Sequence, residues 1–348
     1  MKSGQGLILH VALLGVAGAL AVRVLTRGET PVGAAEQVEV WGGNPSELKS
    51  VTFESPTSRV NLEGRKDSHG RWYVGSIEKL SQQPVPGMGD AGAPLSSAMG
   101  ADGGAAKPGQ KRETTHFVSI KEAEKLAESI APLMAMRALG KVPKPQLVEF
   151  GLDKPEGTLR VAFNDKTRSL TIGGLTPGGS DRYAQNPETG EAYAVSGDFV
   201  RSVMFADSRL LERELHDFEP DEVTRVVITR AKSSRELARK VDKKSGWADA
   251  KTPDKLDETA GNWMSKVERL TATQYFEQVG VPVLPQYHVL KIEYFNGSKS
   301  VGFLELIKIP DDKSNAGYIA KTEYTRWYAQ LLKSSAEQLE RDANSVLK

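Results

Sequence analysis

Three short stretches of this chain have the residue types and spacing of chemical sites. Gly87-Met88-Gly89-Asp90-Ala91-Gly92 has the G-x-G-x-x-G spacing with which backbone amides at a helix start grip a pyrophosphate. That chemistry needs a strand before the loop and a helix after it. Here the surroundings are Gly, Ala, Pro and Ser without apolar periodicity, so the match is formal. Ser46-Glu47-Leu48-Lys49 has the S-x-x-K spacing of a serine nucleophile with its lysine. It opens a strand where that motif needs a helix start, and the matching stretch of an internal repeat, Asp221-Glu222-Val223-Thr224, keeps neither group. Gly173-Gly174-Leu175-Thr176-Pro177-Gly178-Gly179 lacks the lysine of a phosphate loop and is expected to form a wide turn.

Metal and thiol chemistry find even less support. The histidines are His10, His69, His116, His216 and His288; none has a partner at i+4, and no H-E-x-x-H occurs. The chain has no cysteine, which removes thiol nucleophiles, C-x-x-C redox pairs, thiolate-bound zinc and disulfides together. No G-x-S-x-G is present, and Asp311-Asp312 beside Lys313-Ser314-Asn315 offers too few aligned oxygens for calcium. The expectation is a non-enzymatic protein with no catalytic residue, no cofactor and no metal. Forty-six Lys+Arg balance 45 Asp+Glu, so no basic surface is available for phosphate-driven nucleic-acid binding. The densest basic stretch, Lys232, Arg235, Arg239, Lys240, Lys243 and Lys244, is broken by Glu236 and Asp242 and reads as the solvated face of a hairpin.

The elements around these stretches begin with one long apolar run, Leu7 to Val22. With Val24 and Leu25 added, and Arg23 snorkelling, it is long enough for a single membrane span. A cleaved signal peptide is the alternative, with Lys2 as the charged region and Ala19-Leu20-Ala21 as the cut. The uncleaved anchor is favoured because apolar residues continue past that cut. Lys2 on one side and Arg23 and Arg27 on the other leave orientation undecided by charge.

Beyond residue 36 the chain repeats itself. Pro45-Ser46-Glu47-Leu48-Lys49-Ser50-Val51-Thr52-Phe53 recurs 175 positions later (220 − 45) as Pro220-Asp221-Glu222-Val223-Thr224-Arg225-Val226-Val227-Ile228, and Trp72 recurs at the same offset as Trp247. Each copy reads as strands ending on its tryptophan, both tryptophans being expected in the core. A helix follows, over about 121–139 capped by Ser119 in the first copy and about 255–270 capped by Asp254 in the second. Then come hairpins (158–172, and 288–309 around Asn296-Gly297), short strands, and closing helices over 197–210 and 324–347. Residues 80–114 of the first copy form an insertion too rich in Gly, Ala, Pro and Ser to order itself. The reading is an α+β fold of tandem duplicated units, each of antiparallel strands plus helices, behind one N-terminal transmembrane helix. The divisions are an anchor and linker over 1–36, a first unit over 37–212 and a second over 213–348.

One set of features resembles a particular family. The tryptophan-bearing hairpins, the box Phe150-Gly151-Leu152-Asp153-Lys154-Pro155, and the following Ile172-Gly173-Gly174, Arg182-Tyr183 and Ala192-Tyr193-Ala194-Val195 are similar to a bacterial envelope family, domain of unknown function 4340. The second copy departs from it, with Val279-Gly280-Val281-Pro282 in place of the box. The resemblance implies one anchor in the inner membrane, a duplicated periplasmic body, and company with ABC transporter subunits of the gliding-motility kind. The expected function is then that of a periplasmic accessory or interaction protein, its partner an ABC permease or that transporter's extracytoplasmic subunit. A module binding a glycan or lipid-linked envelope component is the alternative, which a Trp- or Tyr-lined pocket between the units would favour. A possible interaction surface is assigned to Phe150, Gly151, Leu152, Asp153, Pro155, Arg182 and Tyr183.

Overall fold

A computed structural model describes residues 37–82, 110–240, 246–277, 285–309 and 317–348. The apolar run at 7–22, the glycine motif at 87–92, Val279 to Pro282 and Asp311-Asp312 lie outside these residues. Among the described residues, no helix is long and apolar enough to cross a membrane.

The first part of the chain builds a ten-stranded sheet. Its strands are β1 (Val38–Trp41), β2 (Ser50–Glu54), β3 (Ser58–Asp67), β4 (Gly70–Gln82), β5 (Gln110–Ser119), β6 (Leu133–Lys141), β7 (Gly157–Ala162), β8 (Thr167–Leu175), β9 (Arg182–Gln185) and β10 (Glu191–Val195). They lie in the order β1-β6-β10-β9-β8-β7-β2-β3-β4-β5. The alternation that predicts strands has its physical counterpart here: Val51 and Phe53 of β2, and Val60 and Leu62 of β3, are buried while their neighbours face out. Its helices are α1 (Lys121–Ile130), α2 (Lys144–Glu149), α3 (Gly197–Met204) and α4 (Ala206–Arg209).

An eight-stranded sheet follows, of β11 (Arg225–Arg230), β12 (Ser233–Lys240), β13 (Gly246–Asp249), β14 (Ala272–Phe276), β15 (His288–Asn296), β16 (Lys299–Lys308), β17 (Tyr318–Thr322) and β18 (Tyr328–Leu331). Its order is β13-β12-β11-β15-β16-β17-β18-β14. Matching β11 to β2, β12 to β3, β13 to β4, β14 to β6 and β15–β18 to β7–β10 makes the two orders identical, with β1 and β5 as extra edge strands of the first sheet. Two helices cover the second sheet: α5 (Glu258–Val267) and α6 (Lys333–Val346). They are tied by the indole Nε1 of Trp263, which donates to Leu339 O at 3.0 Å. Every strand pairing is antiparallel, so the fold is α+β with two antiparallel sheets.

Residues 211–216 lie between the sheets. Glu212 N donates to Val118 O of β5 at 2.8 Å, and Arg213 O accepts from Ala272 N of β14 at 3.0 Å. The Glu212 carboxylate is buried, receiving Tyr324 Oη at 3.1 Å and the Lys121 amide at 3.3 Å. The Tyr275 hydroxyl donates to Glu212 O at 2.9 Å. Burial, with the Glu212 charge beside it, pushes the Tyr324 phenol far up. One continuous apolar core runs through both sheets and this connection.

Several expected boundaries shift. The helix expected over 121–139 stops at Ile130 and has no side-chain cap; Ser119 belongs to β5. Pro132 has no amide to donate and disfavours helix at Ala131, and Leu133 to Lys141 find their hydrogen bonds on β1 and β10 instead. The second helix is capped by Asp257, whose carboxylate accepts from Ala260 N, and not by Asp254. The helix expected from Tyr324 begins at Lys333, because Tyr328 to Leu331 are a strand held by β14 and β17. The ends of the 80–114 insertion are ordered too: residues 80–82 pair with 110–112 as the tip of the β4–β5 ladder, leaving 83–109 outside the described residues. The basic face of β12 is not simply solvated. Arg235 and Arg239 are largely buried, paired with Asp249 and Asp257, and with Asp221 and Glu268, respectively.

Candidate functional site

The box residues form a docked corner on the first sheet. Phe150 closes α2 with its amide on Gln146 O at 2.9 Å, and Gly151 takes φ +66°, turning the chain so that Leu152 N reaches Leu147 O at 2.8 Å. Gly174 N donates to Phe150 O at 2.8 Å, and a Cβ on Gly173 would sit 2.4 Å from that oxygen. The Gly173-Gly174 pair is therefore the seat of the box. Leu152 is buried beneath, while Asp153 and Lys154 are exposed. The Phe150 ring stacks on Tyr183, and Arg182 pairs with Glu156 just after Pro155. The residues of the expected surface thus lie in the loop after α2 and on β9, where Phe150 meets Tyr183. Two neighbours missing from it, Val148 and Leu175, are large apolar side chains at 64% and 51% exposure.

A second locus lies where the two sheets meet. Asp67 ends β3, His69 lies in the turn after it and Trp72 in β4; Glu277 follows β14; Phe303 is in β16, Thr322 ends β17, and Glu323, Arg326 and Trp327 lie in the β17–β18 connection. Together they line a groove of about 480 Å³. Arg326 spans the junction, donating from Nε to Asp67 Oδ2 at 3.0 Å, and from Nη1 to Tyr324 O at 2.7 Å. Burial opposes ionisation of Asp67, but the His69 amide and Arg326 outweigh it and hold the carboxyl below its ordinary range. Trp72 meets Trp327 edge to face, with centroids 6.3 Å apart and planes at 75°. Of the two tryptophans expected in the core, Trp247 is buried, whereas Trp72 is only partly so and lines this groove.

Glu323 links the groove to a smaller pocket of about 240 Å³. One of its oxygens meets His216 Nδ1 at 2.9 Å and the other accepts Phe303 N at 2.8 Å. Carboxylate contact assigns the proton to Nδ1; Nε2 is buried with no partner. His216 stacks on Phe218 and meets Tyr294 edge on, in a pocket also walled by Trp247, Met264 and Glu268. Burial raises the Glu268 carboxyl despite the nearby Arg239. A wider hollow of about 970 Å³ between β15, β16 and α6 has walls that pair among themselves: Lys308 and Arg230 both meet Glu340, as does the Tyr318 hydroxyl.

Of the formal motifs, Ser46 sits in a 3-10 turn with its hydroxyl on Asn44 Oδ1 at 2.8 Å. No cluster of three metal-ligating side chains occurs among the described residues. Sequence reasoning missed the groove, since Asp67 and Arg326 are 259 residues apart. The signal available was Tyr324, Trp327 and Tyr328 within five residues, a density of large rings unsuited to the helix assigned there.

The family described as Domain of unknown function (DUF4340) matches residues 121–287, from the start of α1 to the turn before β15. That span includes the box, its glycine seat, the connection between the sheets and the Trp247 pocket apart from Tyr294. No curated protein and no solved structure matches the chain.

Proposed function

With a chain that belongs to the DUF4340 family over residues 121–287 as the premise, we propose that this is a non-enzymatic interaction protein. It is anchored in the inner membrane by the apolar run at 7–22, carries its body in the periplasm as a tandem duplicated unit, and serves as an accessory to an ABC-type transporter. The observation that carries this reading is the box corner. Phe150 and Tyr183 form a rigid aromatic stack beside exposed Val148 and Leu175, in the manner of a protein-contact anchor. The common strand order of the two sheets supports the duplication.

The test is purification of the full-length protein from gently solubilised membranes, with bound proteins identified by mass spectrometry. An ABC permease or its extracytoplasmic subunit at near-stoichiometric level, lost in a Val148→Asp, Leu175→Asp variant, is the expected result. Recovery of the protein alone removes the reading.

A second reading, a module binding a glycan or lipid-linked envelope component, draws support from a different observation. The groove between the two sheets is concave and carries an indole from each.

A further inference from the structure

The segment that presents Trp327 is strained and held in place by several partners, some from the other sheet and from the connection between the sheets. Trp327 N donates to Thr325 O at 2.5 Å, closing a three-residue ring around Arg326 at φ +57°. This is the rare positive-φ form of the γ-turn, which costs energy in a non-glycine residue. Around it the structure is over-determined. Thr322 and Thr325 are buried; the Thr322 hydroxyl donates to Leu215 O at 2.6 Å and accepts the amides of Tyr324 and Thr325, each at 3.2 Å. Arg326, with its side chain 7% exposed, is fixed by Asp67 from the other sheet. Strain maintained so thoroughly is characteristic of ligand sites. Its effect is to set the Trp327 indole at a near right angle to Trp72, making a two-walled aromatic corner.

The polar groups around that corner narrow the ligand chemistry. Asp67, Glu277 and Glu323 face one guanidinium, Arg326, so a phosphate or other anion is disfavoured. Two of the three carboxylates are already engaged: Asp67 is paired with Arg326, and Glu323 is hydrogen-bonded by His216 and the Phe303 amide. A cation therefore finds one carboxylate, Glu277, still without a counter-charge, at an exposed position where attraction is weak. What the rim still offers is carboxylate lone pairs next to flat apolar faces, and a volume inside the usual range of about 300–1,000 Å³ for small-molecule sites. The Trp72 Nε1 donor, buried without a partner, lies in the same wall. Hydroxyl donors flanking an apolar C–H face are the chemistry of a neutral sugar ring.

We propose that this groove binds a neutral pyranose, its C–H face packed on the Trp72–Trp327 corner and its hydroxyls donating to Glu277, Glu323 and Asp67. This rests on the second reading above and gives it a site and a ligand class; the two sources of such a sugar, a free polymer and a lipid-linked headgroup, share this chemistry.

The experiment uses the full-length protein in a non-glycosidic detergent, with chitotetraose and cellotetraose as probes. Tryptophan fluorescence and saturation-transfer NMR report binding. A saturable response, with the strongest transfer to ring C–H protons, is expected. Trp327→Ala should weaken it by about tenfold or more. Two milder variants guard against misfolding: Trp327→Phe should retain part of the affinity, and Glu277→Ala, at an exposed position, should reduce it at an unchanged unfolding midpoint. Vesicles containing a monoglucosyl lipid separate the two sources, tighter binding than the free sugar pointing to a lipid-linked headgroup and equal binding to a polymer. No saturable response to either oligosaccharide, or a response to tetramethylammonium in their place, overturns the proposal. Failure here is distinct from failure of the transporter reading, because Trp327→Ala should leave co-purification intact, and Val148→Asp, Leu175→Asp should leave sugar binding intact.

Discussion

The rings of Phe150 and Tyr183 are stacked, 4.1 Å between centroids and 13° between planes, although 33 residues separate them in the chain (183 − 150). A double-mutant cycle of Phe150→Ala and Tyr183→Ala, read by urea unfolding, is expected to show a coupling of about 0.5–1.5 kcal/mol. Strictly additive losses would mean that the stack is not formed in solution.

Gly151 tests the seat of the box. Its φ of +66° disfavours any side chain, and a Cβ there would lie 2.9 Å from Gly174 N. Gly151→Ala is expected to cost about 2 kcal/mol or more, from backbone strain plus that contact. Gly190→Ala, at φ +74° with open space around it, should cost only about 1 kcal/mol. Equal losses would show that the close approach of β8 is unimportant.

The Asp67–Arg326 pair predicts an acid-sensitive junction. The folded state holds the Asp67 carboxyl below its unfolded value of about 3.9. A depressed carboxyl contributes stability that is present above the unfolded value and lost as pH falls through the folded one. Asp67→Asn should therefore be less stable than the wild type at pH 7, the gap closing below about pH 4. A gap that persists undiminished in acid would assign the loss to packing instead of charge.

Arg235 is bonded to Asp249 at 2.9 Å, Asp257 at 2.7 Å and Val346 O at 2.5 Å, tying β12, the cap of α5 and the end of α6 together. Arg235→Met leaves two partly buried carboxylates unpaired, and a loss of about 2–4 kcal/mol in chemical denaturation is expected. A loss under about 0.5 kcal/mol would class these contacts with ordinary surface ion pairs.

Local signals account for what the sequence revealed. Gly297 marks the β15–β16 hairpin by taking φ +59°, but the two-residue turn is Gly297-Ser298 with Asn296 paired to Lys299, one place on from the expected Asn296-Gly297 turn. The 175-residue offset likewise announced strands that occupy matching places in the two sheets. The failures are residues whose partners are remote. Leu133 to Leu139 are good helix formers with plausible helical spacing, and only pairing with β1 and β10 makes them a strand. Tyr328 to Leu331 fail for the same reason. The box was legible as a turn and its seat was noticed, yet the groove depends on side chains from β3, β4, β16, β17, the β17–β18 connection and the residue after β14, which no local pattern joins.

The segment between the sheets has a consequence for how copies of this protein treat one another. An open row of strand amides and carbonyls invites pairing with another chain. Near its C-terminal end β5 is hydrogen-bonded to residue 212 through Val118 O, and the edge strand β14 is bonded to residue 213 through Ala272 N, so the connecting segment covers one point of each rim. The opposite rims, β1 and β13, are only four residues long each. Short rims give little purchase for strand addition, so among the described residues the ten-residue β5 is the long edge at which another chain could pair.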